Sequence, residues 1–445
     1  MNMKLRKLVF LILSSSTIGL IVGSCNHFTA PTAVWNPNQK YAAGATILNV
    51  LPSATAIAGV REITIIGQNF SKDIDSDWVY YDVDSLGSTG IKSYSLSGAT
   101  DTIVIYRPPN FGSSLYFKVV VPAADSVGRY AYNIEQPVIS STLSSISGTS
   151  FVMTPGGGSS TGDTTWIATT GYVYELLPDG SAPILFKDTS YLEPKTIVNG
   201  KSAATDFASP FMDIKVGPGG ILYATFNNSK TSNVVYRLDP DSSSPVVYAT
   251  ISVTKGAGFF DFDDNGNLYT GNTAGLFLVK PDGTTPSNIG YSSFTFVALR
   301  VIKDATGNKF VYAANSGGVS RSPINPDGTV GTQQQIYDLK SDTSAIVAGD
   351  AISSFDIASD GTVYIGLTGN SSYSLFVLEN AGTSSPTLVP YYHNSGIIPT
   401  GILQLAWGND RWLYLNTGGT TLYKMGIATE SGTPVHGSPY LGKGL

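Results

Sequence analysis

An all-β chain is expected, a small immunoglobulin-like sandwich followed by a six-bladed β-propeller, and three observations predict it. The composition is that of strands and tight turns: charged residues fill only 13% of 445 positions, against 48 Gly, 25 Tyr and 19 Phe, and no stretch keeps a helical period. Between about 47 and 136, five or six short apolar runs alternate with turn residues, the density of a two-sheet sandwich. From about 137 to 445 one strand-pair pattern returns six times, at the spacing of four-stranded propeller blades.

At the N-terminus, Lys4, Arg6 and Lys7 precede an apolar run from Leu8 to Val22, which ends in Val22-Gly23-Ser24-Cys25. About fifteen apolar residues suit an export signal and fall short of the ~20 that span a bilayer. Small residues just before a cysteine resemble the bacterial lipobox, which implies a signal peptide over 1–24 and acylation of Cys25. This cysteine is the only one, so it has no partner for an intramolecular disulfide. Lipidation gives an exported thiol a purpose. Asn26 follows, not the aspartate that resembles inner-membrane retention, so the expected location is the outer membrane, with the leaflet left open. Residues 25–46 are polar, contain Pro31 and Pro37, and read as a tether. Losing the signal removes three positive charges and no acids from a chain of net charge −6, leaving −9. With no Lys/Arg cluster, nucleic acid is not an expected partner.

The sandwich is expected over 47–136. Glu62-Ile63-Thr64-Ile65-Ile66-Gly67 alternates apolar and polar positions, and Gln68-Asn69-Phe70 closes that strand with an aromatic. Further strands are expected at Trp78–Val83, Thr102–Tyr106, Tyr116–Val121 and Arg129–Ile134. Pro52, Gly59, Ile63-Thr64-Ile65, Gly67 and Asn69-Phe70, with Pro108 and Gly128-Arg129-Tyr130 further on, resemble the IPT/TIG family. The sequence departs from that family at Val60, where many members have a second glycine. The resemblance implies a spacer or interaction platform and carries no catalytic residue.

The propeller is expected over 137–445. One unit reads Met212-Asp213-Ile214, Gly219-Gly220, Leu222-Tyr223-Ala224, Val235-Tyr236-Arg237-Leu238 and Pro240-Asp241. Others start at Phe260-Asp261-Phe262 and Phe355-Asp356-Ile357, and weaker copies carry Trp166, Tyr312 and Tyr414. The repeated tyrosine stands at 223, 269, 312, 364 and 414, at intervals of 46, 43, 52 and 50 residues. Within a unit, an inner strand turns through Asn-Gly or Asp-Gly into a second strand that buries Leu and Tyr between blades. No blade buries both faces alone, so the ring has to close, with a strand from about 137–150 joining the last blade. The pattern resembles six-bladed propellers of the NHL and lactonase types. That resemblance implies a central channel which, in the lactonase type, holds a divalent cation.

Several motifs invite chemistry. Asp261-Phe262-Asp263-Asp264-Asn265-Gly266 imitates the start of a calcium loop, but the twelfth position is Asn272, so it reads as a hairpin. Gly158-Ser159-Ser160-Thr161-Gly162 matches a nucleophile elbow in letters but lies in a Gly/Ser-rich loop. Asp213, Asp261 and Asp356 recur at one inner-strand position; a bond between blades explains recurrence better than a ring of acids does. Glutamate is scarce, with Glu175 and Glu379 on third strands, so no metal-binding set can be assigned residue by residue and no cofactor is implied.

Exceptions to a repeat are where function is sought. Connections from fourth to first strands share one face of a propeller. One, about 188–210, carries Tyr191, Glu193, Lys195 and Asp206; another, about 338–352, carries Lys340, Asp342 and Asp350. A third carries Tyr391, Tyr392, His393 and Asn394, followed by Trp407 and Trp412. Aromatics beside amides and carboxylates suit stacking on sugar rings, while Trp407 reads as packing between blades. The expected ligand residues are Tyr191, Asp206, Tyr391, Tyr392, His393, Asn394 and Trp412. The function expected is a membrane-anchored binding or scaffold module, for polysaccharide or another envelope ligand. The alternatives are a metal-dependent lactonase or hydrolase in the channel and a structural component of an envelope complex.

Overall fold

The computed structural model describes residues 41–426 apart from short internal stretches, chiefly 57–61, 72–76, 86–90, 135–138, 142–147, 156–162, 189–195, 204–210, 227–233, 252–257 and 392–397. The signal, Cys25 and the Gly158–Gly162 motif therefore lie outside the described residues.

Two sheets make up the N-terminal unit. One orders its strands Thr46–Leu51, Glu62–Gln68, Asp101–Tyr106, Ile91–Leu96. The other orders them Thr55–Ala56, Gly128–Ile134, Gly112–Val120, Trp78–Tyr81, Asp84–Ser85, with the first pair parallel. Alternation sends Ile63, Ile65, Ile103 and Ile105 inward from one sheet to meet Val79, Tyr81, Phe117, Val119 and Tyr132 from the other. Each such burial is worth about 1.5–3 kcal/mol. The Gly67–Phe70 signature has a steric cause. A Cβ on Gly67 would stand 2.4 Å from the Phe70 ring, and Asn69 takes the left-handed conformation, φ 60°, that folds that ring back. Ala42 bridges to Ala124 and Ala45 is buried, so the sandwich begins several residues before position 47.

Six four-stranded antiparallel sheets follow. Blade 1 comprises Ser150–Pro155, Asp163–Thr169, Tyr172–Leu176 and Ile184–Lys187; blade 2 Phe211–Val216, Leu222–Phe226, Val234–Leu238 and Val246–Thr250. Blade 3 is built of Phe260–Phe262, Leu268–Asn272, Gly275–Val279 and Ser287–Gly290; blade 4 of Ala298–Lys303, Lys309–Asn315, Gly318–Pro323 and Gln334–Asp338. Blade 5 has Ala351–Ile357, Val363–Thr368, Leu375–Glu379 and Thr387–Pro390. Blade 6 has Gln404–Trp407, Trp412–Asn416 and Leu422–Gly426, and its outermost strand is Ile139–Ser141, from the start of the repeat region. The innermost strands neighbour one another in series, and that of blade 6 returns to that of blade 1. The ring is closed.

Its core is not continuous. The buried apolar residues fall into six clusters, one at each junction between blades. The repeated tyrosines are all buried and each joins the cluster shared with the following blade. Tyr223 meets Phe262 at 4.8 Å, Tyr364 meets Trp407 at 5.5 Å, and the Tyr269 hydroxyl donates to the Gly328 carbonyl at 2.9 Å. Burial pushes the Tyr269 hydroxyl pKa upward, which keeps it a donor. The hairpins supply the reversals: Gly266 and Gly361 have φ of 79° and 88°, open to glycine without penalty. Within the long 188–210 connection, Thr196–Val198 and Lys201–Ala203 pair as a small hairpin, where the sequence suggested only a loop.

Candidate functional site

The axis of the ring is occupied by charge. Asp213 accepts from Ile214 N with one oxygen and from Phe260 N of the next blade with the other, at 3.0 and 3.2 Å. Asp261 does the same to Phe262 N and Val301 N, and Asp356 to Ile357 N and Trp407 N, all at 2.9–3.0 Å. The recurrent aspartate is a staple from blade to blade. Other residue types make the equivalent bond: Ser150 Oγ accepts from Ile214 N and Gln404 Oε1 from Phe151 N at two further junctions, and Ser354 Oγ from Leu405 N beside Asp356. At the remaining junction, Arg300 Nε of blade 4 lies 3.4 Å from Asp356 of blade 5. Arg300 also donates to the Leu405 carbonyl of blade 6 at 2.9 Å, so its guanidinium reaches across to two further blades.

Lys215 lies at the same level, buried, with Nζ 2.7 Å from Asp213. Burial pushes its pKa down and the Arg300 charge adds to that, while Asp213 and Asp261 pull it back up. Three aspartates thus share this level with a lysine and an arginine. A divalent cation on this axis would meet the Arg300 guanidinium, and the carboxylate oxygens it would need already accept backbone N–H groups. The residues do not fit the cation that the lactonase resemblance implied. Among the described residues, no three His, Cys, Asp or Glu side chains come together to hold a metal ion elsewhere.

Of the expected ligand residues the structure describes two, Tyr391 and Trp412, and it does not bring them together. Tyr391 is buried, 1% exposed, between blades 5 and 6 against Tyr364. Its N–H continues the ladder to the Leu375 carbonyl at 2.9 Å, so the chain is still strand-like there and the ring falls into the junction instead of solvent. Trp412 opens the second strand of blade 6, so it stands at the opposite end of the strands from Tyr391. It is half-buried beside the cluster of blades 6 and 1, with the Lys424 ammonium 5.0 Å from its ring centre. Successive antiparallel strands alternate in direction, which is why a residue ending a fourth strand and one beginning a second strand lie on different faces. Tyr191, Asp206, Tyr392, His393 and Asn394 lie outside the described residues. Trp407 is buried between blades 5 and 6, as its packing role requires.

A cavity of about 300 Å³ opens on the other face, where first strands turn into second and third into fourth. Asp263, Asn265 and Asn267 come to it from blade 3; Asn308, Lys309 and Phe310 come from blade 4, with Asn325 from that blade's outer turn. The calcium-like stretch is a hairpin, as expected. Asp263 is buried and spends Oδ1 on the N–H groups of Asn265 and Asn267, and Oδ2 on the Asn267 amide, at 2.8–2.9 Å. Beside the cavity, Asp264 pairs with both Lys309 and Lys303. Burial would raise its pKa, but the two lysines prevail and hold it below the usual carboxylate range. The Asn265 side chain is exposed and makes no hydrogen bond within the described protein. Neither a histidine nor a cysteine lines the cavity; amides, a lysine and an aromatic edge do, which is equipment for holding a polar ligand. Sequence reasoning passed over it because three separate turns build it, and each alone is an ordinary hairpin.

No protein-family model matches the chain, and no curated protein matches it. Solved structures are similar at the level of the fold. An auxiliary nutrient binding protein from Bacteroides thetaiotaomicron is 10% identical, with 88% of this chain and 99% of that one covered and a TM-score of 0.44. A gluconolactonase from Xanthomonas campestris is 11% identical over 59% of this chain and 81% of its own, at 0.42. The calcium-binding regucalcin from Agrobacterium tumefaciens is 11% identical over 62% and 87%, at 0.41. At such scores the likeness adds nothing to the propeller that the sheet order already establishes.

Proposed function

We propose that the chain is an outer-membrane lipoprotein whose propeller binds a saccharide or a similar polar envelope ligand, and that its propeller is not a metal-dependent lactonase. The cavity between blades 3 and 4 supports this reading: it offers amides and a lysine at the scale of one or two sugar units, and no nucleophile with a base beside it. The Arg300 guanidinium on the axis counts against the lactonase alternative. Asn265→Ala should weaken retention on affinity gels containing soluble starch, xylan or dextran by roughly two- to tenfold, the worth of one hydrogen bond, and Asn265→Trp should block the cavity. Unchanged retention of both variants on a gel that retards the parent protein would remove the cavity from this role.

The sandwich is proposed to be an IPT/TIG-like, immunoglobulin-type spacer. Its two sheets, with the second strand crossing to pair in parallel with the last, support that reading. Cys25 is proposed as the lipid attachment point. Cys25→Ala should move the protein from the membrane fraction to the soluble one, and sedimentation with membranes regardless would defeat the proposed address.

A further inference from the structure

The sandwich carries a surface that its own folding does not use. Strand Trp78–Tyr81 alternates strictly: Val79 and Tyr81 are buried, while Trp78 is 52% exposed and Tyr80 half-buried. On the neighbouring strand Phe117 and Val119 point inward, and Tyr116 is 46% exposed beside Lys118. Register places these side chains together. Trp78 pairs with Val120, Tyr80 with Lys118, Lys118 with Arg129, and Tyr116 with Ala131. Directly paired residues share a face, and diagonal neighbours stay within reach of long side chains. Trp78 and Tyr80 lie 6.4 Å apart with ring planes only 29° from parallel, so they form one shallow platform. Arg129 is exposed at its edge.

Scattered exposed aromatics need no explanation, but three on one open sheet face do. At their margin stands the exposed Arg129, in a chain whose net charge is −6. A flat aromatic surface stacks on ring faces, and cations at its margin select for negative charge. We infer that this face binds a polysaccharide bearing uronic-acid carboxylates, laid across Trp78, Tyr80 and Tyr116 with Arg129 meeting its acids. The inference rests on the reading of the protein as a saccharide binder and gives it a second contact, separate from the propeller cavity.

The full chain is tested by affinity electrophoresis in polygalacturonate, with highly methyl-esterified pectin as the uncharged twin and oligo-dT as a stacking polyanion that is not a sugar. The parent should be retarded most by polygalacturonate. Trp78→Ala and Tyr116→Ala should each weaken that retention on the order of tenfold. Arg129→Gln should weaken retention in polygalacturonate and leave the pectin result unchanged. All three positions are exposed or at the face's edge, so an unaltered melting temperature certifies the fold. Three results would overturn the inference: no retention of the parent in polygalacturonate, equal retention in pectin, or stronger binding to oligo-dT. Loss of retention only in the Asn265 variants would also overturn it, while leaving the proposed propeller function standing.

Discussion

Asp356→Ala is expected to destabilise the protein by about 3–5 kcal/mol. Its carboxylate is buried, accepts from Trp407 N across the junction of blades 5 and 6 at 2.9 Å, and faces Arg300 at 3.4 Å. Truncation takes the facing carboxylate from a guanidinium that is itself only 7% exposed, and leaves a backbone donor without an acceptor. Calorimetry should show a melting temperature lower by on the order of 10 °C. Asp356→Asn keeps an acceptor for Trp407 N and removes the charge, so comparing the two separates staple from ion pair. Arg300→Met in the Asp356→Asn background should recover part of the loss, because the buried cation that faced the carboxylate is then removed as well. A melting point unmoved by Asp356→Ala would mean that the axial network contributes nothing to closure.

Removal of the closing strand should have a comparable or larger effect. Ile139, Ser140 and Ser141 pair with Met425, Lys424 and Tyr423, and no other described strand covers that edge of blade 6. A fragment beginning at 143 would expose the ladder groups of Leu422–Gly426 as an unpaired edge. It should be recovered insoluble or melt well below a fragment beginning at 136, which keeps the strand. Indistinguishable melting of the two fragments would show that the ring closes through its inner strands alone.

What could be read from the sequence follows from how each feature is encoded. The tyrosines at 223, 269, 312, 364 and 414 were visible because one residue type solves one packing problem five times. The staples were half visible. Asp213, Asp261 and Asp356 repeat, but Ser150, Ser354, Gln404 and Arg300 perform the same task with different chemistry, and no pattern search unites them. Tyr391 was misplaced because an aromatic beyond a proline resembles the start of a loop; only the continued hydrogen bond to Leu375 shows otherwise. The cavity was invisible, being assembled from turns some sixty residues apart. In the sandwich, Trp78 to Tyr81 reads plainly as a strand, yet both of its faces are aromatic. The partner sheet decides which face is covered.

The division of the hydrophobic core into six clusters makes the ring a circular array without ends. A linear stack of repeats frays from its termini, each lost unit costing one interface. A closed ring has no terminus to fray, and releasing one interior blade requires opening two clusters and both flanking staples at once. The first rupture is therefore dearer than any that follows, since after it the remaining blades are an ordinary stack with two exposed faces. Hydrogen exchange from the inner strands should consequently report a single shared opening event around the whole circumference, with blade-to-blade differences confined to the outer strands.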